Sequence, residues 1–149
     1  MPRNRLLTTL SIAVAVFCLG SASAVLAQAV HGGAVIQFES QGAPLTIDVS
    51  ARIGQAGPTG IFRIGDGQDW NIGEVTDLCV IGDGAGVAVT ITQGTEFPPG
   101  LMLVFGFYDA GNQGDGVPLF SPEVSACDMA ALVPTVNFPV THGNYTVAP

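Results

Sequence analysis

Short runs of alternating apolar residues, each ended by Gly, Asp or Pro, constrain the fold of this 149-residue chain most strongly. The clearest run is LTIDVSARI at residues 45–53, in which Leu, Ile, Val, Ala and Ile occupy every second position. A period of two places such residues on one face of a β-strand, whereas an amphipathic helix needs a period near 3.6. Helical periodicity is almost absent after residue 29, so the chain predicts an all-β fold.

Similar runs predict further strands along the rest of the chain. They lie at 34–40, 59–65, 70–81, 86–92, 101–109, 117–120 and 135–147, the last divided or broken at Pro139, and residues 125–132 predict one helical turn. The sequence GDG occurs at 65–67, 82–84 and 114–116, and Asp-Gly favours the positive φ angles of tight hairpin turns. About eight short strands with such turn signals are typical of a small antiparallel β-sandwich or β-barrel.

The N-terminal segment has the pattern of a signal peptide. Arg3 and Arg5 precede an apolar stretch at residues 6–19, and the small-residue sequences SASA and AQA follow it. This order predicts a signal peptide helix over residues 1–29 and a single exported domain over residues 30–149. Cleavage is expected after Ala29, with Ala24 as the alternative, and a retained membrane anchor is the alternative to cleavage. The expected location is secreted, periplasmic or in the cell envelope, without membrane insertion after cleavage.

The charge balance after the signal peptide excludes one large class of partner. All 12 acidic residues follow residue 29, against only Arg52 and Arg63, which makes a net charge of about −10. Binding to nucleic acid requires a basic surface, and docking on anionic lipid is disfavoured for the same reason. The acids are scattered, which favours solubility. A protein or glycan ligand remains open, and the sequence does not specify one.

Two cysteines remain once the signal peptide, with Cys18, is removed. An even pair in an exported chain predicts a disulfide between Cys79 and Cys127. Such a bond would close a loop of about 48 residues and, on the loop-entropy model, contribute about 4 kcal/mol to stability.

The stretch FYDAGNQGDG, residues 107–116, is the candidate for a metal site. Aligned with an EF-hand loop, Asp109 takes the first position, but Gly111 and Phe120 stand where ligand side chains are needed. A looser calcium site built from Asp109, Asn112 and Asp115 is the alternative to a plain hairpin connection, in which Asp and Asn cap turns. No other cofactor is predicted, and the chain has too few His, Cys and carboxylate ligands at suitable spacing for zinc.

The sequence carries no catalytic signature. The G-x-S-x-G elbow of many hydrolases is absent, and twelve acids always offer carboxylate pairs without identifying one. His31 lies near the expected mature N-terminus, so His142 is the histidine expected within the fold. No supporting pattern surrounds the candidate nucleophiles Ser40, Ser50, Ser121 and Ser125. We therefore expect a protein that is not an enzyme.

The second half of the chain resembles a family of exported bacterial β-domains. The sequences CVIGDGAGVAV from Cys79, PPG at 98–100, FGFYDAG at 105–111, then Cys127 and GNYTV at 143–147 occur in the order found in post-COAP-like and related uncharacterised secreted domains. Gly82, Ala85 and Ala110 depart from that pattern. Together with IDVSARIGQAGPTGIFRI at 47–64, which is similar to the hairpin entry of such domains, the resemblance covers about 100 residues. It implies secretion, an all-β fold and the Cys79–Cys127 bridge, and it transfers no catalytic residue.

These observations predict an exported, disulfide-stabilised β-domain with a non-enzymatic binding or structural role at the cell envelope or outside the cell. Two alternatives remain open. One is a small secreted hydrolase, and the other is a subunit of a surface appendage that assembles by strand addition at an exposed sheet edge.

Overall fold

The protein is an antiparallel β-barrel with one short helix on its outer surface. The computed structural model describes residues 27–37, 43–111, 115–117, 120–136 and 138–149. The predicted all-β class is confirmed. The elements in chain order are β1 (Ala29–Ile36), β2 (Leu45–Gly54), β3 (Gly57–Gly65), β4 (Trp70–Ile81), β5 (Gly84–Gln93), β6 (Met102–Tyr108), β7 (Gly116–Val117), α1 (Ala126–Leu132) and β8 (Phe138–Ala148).

Each strand pairs with its neighbour in the chain, and β1 also pairs with β8, so that the sheet closes on itself. The sequence left a sandwich and a barrel open, and this topology is the barrel. Seven strands have seven or more residues, whereas β7 has two. Among the described residues, closure between β6 and β8 includes the pairing of Gly116 with Tyr108 on one side and with Pro139 on the other.

Strands β2 to β6 follow the predicted runs closely, and the differences lie in the first strand, β1, and in the last two, β7 and β8. β1 begins at Ala29 instead of residue 34, because it pairs along its full length with both β2 and β8. β8 continues through Pro139, which lies where the partner strand β7 is only two residues long. Of the predicted strand 117–120, Val117 belongs to β7, and residues 118 and 119 lie outside the described residues.

The predicted helical turn forms helix α1, and Ser125 caps its start. The Ser125 hydroxyl accepts a hydrogen bond from the Asp128 backbone N–H at 3.1 Å and donates one to the Asp128 carboxylate at 2.7 Å. The hydroxyl thus caps one of the free N–H groups at the helix start, and the Asp128 carboxylate accepts the hydroxyl proton.

The barrel interior is filled by the inward side of each strand. Its largest side chains are aromatic: Phe62, Phe105, Phe107 and Tyr145 are all at most 1% exposed. Phe62 lies against Phe105 with ring centroids 4.2 Å apart, and Phe107 meets Tyr145 edge to face at 4.8 Å. Such ring pairs add about 0.5–1.5 kcal/mol beyond the burial of their area. The interior of the described barrel is therefore a packed core.

Helix α1 lies on the outside of the sheet, across β4, β5 and β6. A side chain at Gly84 or Gly86 of β5 would collide with the α1 backbone, at the carbonyls of Ala130 and Ala126 respectively. Glycine at these positions lets the helix approach the strand closely. A second apolar cluster fills this interface and includes Met129, which is 2% exposed. Within the described part of the chain, no helix reaches the length and apolar character that crossing a membrane requires.

Candidate functional site

The outer surface of the barrel has two different sides. Helix α1 covers β4 to β6, and the predicted disulfide fastens it there: Cys79 of β4 is joined to Cys127 of α1, with Cα atoms 5.0 Å apart. The outer side of β1, β2 and β3 carries no helix in the described residues. The bridge thus connects an element that lies outside the sheet to the sheet itself.

The two carboxylates of the candidate calcium loop accept hydrogen bonds from the backbone of β8. Asp109 accepts one from the Val147 N–H at 3.2 Å and one from the Gly111 N–H at 3.1 Å. Asp115, which is 8% exposed, accepts one from the Tyr145 N–H. The N–H groups of Tyr145 and Val147 belong to the part of β8 that follows its pairing with the described β7. The two carboxylates accept the hydrogen bonds that carbonyl groups of a neighbouring strand would otherwise accept there. The aspartates therefore help to close the barrel.

The positions of the described side chains add little support for the calcium hypothesis to that given by the sequence. The carboxylates of Asp109 and Asp115 are already engaged with backbone N–H groups. Asn112 lies outside the described residues, and the described residues contain no group of three or more His, Cys, Asp or Glu side chains able to hold a metal. The calcium site therefore stays a prediction.

The three GDG sequences have different structural roles. Asp66 caps its own loop by accepting hydrogen bonds from the Asp69 and Gln68 N–H groups, each at 2.9 Å, and these bonds lower the pKa of its carboxyl. Gly82 and Asp83 form the tight turn between β4 and β5, with Gly82 at a φ of 58°. Asp115 is buried and bonds to β8. The turn interpretation is therefore confirmed for the first two sequences, and for the third it stays a prediction, because Gly114 lies outside the described residues.

Tyr145 joins the core to the closure between β7 and β8. Its hydroxyl donates a hydrogen bond to the Ile47 carbonyl at 2.9 Å, and its N–H donates to Asp115. Burial, followed by the negative charges of Asp48 and Asp115, raises the pKa of the phenol well above its ordinary value. Tyr145 therefore stays neutral across the physiological range and serves as a buried hydrogen-bond donor.

A groove of about 440 Å³ lies on the outer side of β1, β2 and β3. Its lining comes from adjacent cross-strand rows: His31, Ser50 and Ile61 form one row, and Ala29, Arg52 and Thr59 form the next. The backbone of the buried Ala51 and of Gly60 completes it. A side chain on Gly60, whose φ is 157°, would collide with the Ser50 carbonyl. Glycine here keeps β3 close to β2 along the groove.

The groove offers hydrogen-bond donors and one cation, and its lining contains no carboxylate. Arg52 supplies a guanidinium, His31 an imidazole, and Ser50 and Thr59 hydroxyls, while Ile61 is 59% exposed and adds an aliphatic wall. Volumes of this size hold small ligands in other proteins.

The two arginines among the described residues differ in their surroundings. Arg63 lies over the Trp70 ring, 4.3 Å from its centroid, and faces Asp48 across the β2–β3 pair. Within the described residues neither guanidinium makes a hydrogen bond or ion pair, but Arg52, whose cross-strand partners are Ala29 and Thr59, has neither a ring contact nor an acidic partner. Arg52 is thus the cation that remains available to a ligand on this face.

Sequence reasoning did not find this groove. His31, expected near the chain start, lies inside β1 and is the cross-strand partner of Ser50. The tight turn at residues 54–57 could have indicated part of the groove. It fixes the β2–β3 register, which places Arg52 opposite Thr59 and Ser50 opposite Ile61. Residues of three strands meet here only through strand pairing, which local sequence patterns do not record.

Comparisons with protein-family models, curated proteins and solved structures found no match to this chain. The resemblance to post-COAP-like domains therefore stays a prediction, and the site is interpreted from its own geometry.

Proposed function

We propose that this chain is an exported, disulfide-stabilised β-domain that binds a ligand on the outer side of β1 to β3 and performs no chemistry on it. The observation that carries the proposal is the groove, where an available guanidinium and three further donor side chains lie beside an exposed isoleucine. The packed interior supports an external site, since the aromatic core fills the space that an internal ligand would need.

Export is the second part of this proposal. The signal-like N-terminus and the disulfide support it, because disulfides persist in oxidising compartments outside the cytoplasm. The expected location is the periplasm, the cell envelope or the extracellular medium.

Contacts of Gln28 favour one of the two expected cleavage sites. Its carbonyl accepts a hydrogen bond from the Ile53 N–H at 2.9 Å, and its side-chain oxygen accepts one from the Val80 N–H at 3.3 Å. Cleavage after Ala29 would remove both contacts and the first residue of β1, so we propose cleavage after Ala24. Intact-mass analysis of exported protein should give a chain that begins at Val25, and a chain beginning at Val30 would contradict this assignment.

Ligand-observed NMR of purified, oxidised protein tests the binding role. A library of small carboxylates, neutral alcohols and amides, and amines is screened against the wild type and against Ser50→Trp, which fills the groove. His142→Trp, at an exposed position of β8 outside the groove, is the matched control. The proposal predicts compounds that bind the wild type and the control variant and are lost in Ser50→Trp. If no compound shows that dependence, the groove is not a ligand site.

A small hydrolase is the second candidate, favoured by the pairing of His31 with Ser50 in the groove. A serine nucleophile needs a base and a third group that orients the base. No hydrogen bond joins these two side chains, and the His31 imidazole has no orienting carboxylate among the described residues. Hydrolysis of activated esters that disappears in Ser50→Ala would favour this candidate over a pure binding role.

The appendage alternative requires an exposed sheet edge for strand addition. In the described barrel every strand has a neighbour on both sides, and we do not propose assembly by that route.

A further inference from the structure

We propose that the groove binds the carboxylate of a small aliphatic acid, with Arg52 holding the charged end and Ile61 contacting the alkyl chain. This inference rests on the proposed binding function and names the class of ligand.

The order of side chains across the strands supports a ligand with an acidic end and an apolar end. Arg52 lies between Ala29 and Thr59 in one cross-strand row, and Ser50 lies between His31 and Ile61 in the next. The cation and the exposed isoleucine are thus in neighbouring rows on adjacent strands. A short molecule lying across these rows can place an acidic group at Arg52 while its apolar part contacts Ile61.

A carboxylate matches the donors of this site. The guanidinium presents a planar pair of N–H donors that fits the two carboxylate oxygens, and such bidentate contacts are among the stronger hydrogen bonds of proteins. The Ser50 and Thr59 hydroxyls and the His31 imidazole supply additional donors. A cationic ligand is disfavoured, because the lining offers no carboxylate to pair with it.

The acidic charge of the remaining surface favours anion binding at Arg52 over other positions. The mature chain carries 12 acids against two arginines, so an anion is repelled by most of the surface and attracted only where a cation is not already engaged. Arg63 faces Asp48 and lies against Trp70. Arg52 therefore marks the place on β1 to β3 where an anionic ligand is favoured.

The volume limits the ligand to a small molecule. A groove of about 440 Å³ accommodates a chain of several carbons with its carboxylate. Because the groove is on the surface and the ligand is small, we expect a Kd of about 1 mM for hexanoate. Lengthening the chain from butanoate to octanoate should tighten binding as more alkyl surface contacts Ile61.

The experiment is a calorimetric or NMR titration of purified, oxidised protein with hexanoate, and with 1-hexanol and hexylamine as matched neutral and cationic probes. Hexanoate should bind, and the other two should bind at least tenfold more weakly. Arg52→Gln should weaken hexanoate binding about tenfold or more, as expected for the loss of a charged bidentate contact. Arg63→Gln makes the same change of net charge on the same side of the barrel, and it should alter the Kd less than twofold. In Ile61→Ser, the gain in affinity from butanoate to octanoate should disappear.

The outcomes separate this inference from the proposed function. If 1-hexanol binds as well as hexanoate and Ser50→Trp abolishes both, the groove is a ligand site and the carboxylate assignment is wrong. If Arg52→Gln and Arg63→Gln weaken hexanoate equally, the binding is general charge attraction and the assignment to the groove is overturned. If none of the three probes binds while other library compounds bind in a Ser50-dependent way, only the ligand class fails. If no compound depends on the groove, both proposals fail.

Discussion

Replacing Asp115 with alanine should destabilise the barrel by about 2–3 kcal/mol, whether or not calcium is present. The side chain is 8% exposed and accepts a hydrogen bond from the Tyr145 N–H of β8. Alanine would leave this buried N–H without an acceptor and would remove a charge-assisted bond. Both losses are costly, because an unsatisfied buried donor pays its full desolvation penalty.

Asp109→Ala should cost less, on the order of 1 kcal/mol. Its bonds to the Val147 and Gly111 N–H groups are 3.2 and 3.1 Å long, and its side chain is half-buried, so water can replace part of what is lost. For a domain of this size, about 1 kcal/mol corresponds to a change in Tm of roughly 4 °C. We therefore expect decreases of about 10 °C for Asp115→Ala and about 4 °C for Asp109→Ala.

The assay is thermal and urea unfolding of the oxidised protein, with a chelator in one arm and millimolar calcium in the other. Asp69→Ala is the matched control, because Asp69 is an exposed loop acid whose side chain makes no hydrogen bond in the described residues. It corrects for the removal of one negative charge from an acidic protein. If Asp115→Ala falls within about 0.5 kcal/mol of Asp69→Ala, the carboxylates do not close the barrel. If the destabilisation appears only with calcium, the loop is a metal site after all.

Three further perturbations test other parts of the structure. Replacing Cys79 and Cys127 together by serine should lower the free energy of unfolding by about 4 kcal/mol on the loop-entropy model. Faster hydrogen exchange in α1 than in β2 of this variant would confirm that the bridge holds the helix. Equal exchange in both elements would contradict it. Tyr145→Phe should cost about 1 kcal/mol at neutral pH, because the Ile47 carbonyl loses its donor. The raised pKa of Tyr145 also predicts a pH effect: its stabilisation is complete below the unfolded value of about 10 and is lost as the pH rises above it. Urea unfolding at neutral and strongly alkaline pH should therefore show a smaller alkaline loss in Tyr145→Phe, and an unchanged loss would refute this explanation. Gly86→Val should destabilise by more than about 2 kcal/mol in the same assay, since its side chain meets the α1 backbone, whereas valine at the exposed Gly54 should cost far less.

Much of the fold could be predicted from local sequence pattern. β2 shows why: Ile47, Val49 and Ala51 face the core and are at most 4% exposed, in the alternation that the sequence displays. The barrel itself could not be predicted, because its closure depends on the pairing of β1 with β8, more than 100 residues apart in the chain. Alternation records which face is buried and carries no information on which strands are neighbours.

The site was harder to predict than the fold, for reasons that differ between its two candidates. The loop sequence identifies Asp109 and Asp115 as candidate calcium ligands, but it cannot distinguish a carboxylate that binds metal from one that accepts a backbone N–H of a distant strand. The groove residues gave no local signal at all. Arg52, Ser50 and Thr59 are ordinary outward-facing strand residues, and they acquire a common role only through the register of three strands.

The central claim is that this barrel has a packed interior and binds its ligand on the outside of β1 to β3. Amide chemical-shift mapping of ¹⁵N-labelled protein titrated with hexanoate tests it directly. We expect concentration-dependent shifts at residues 29–31, 50–52 and 59–61, and no comparable shifts at the core residues Phe105, Phe107 and Tyr145. Shifts centred on the core aromatics, or spread evenly over the surface, would contradict the claim.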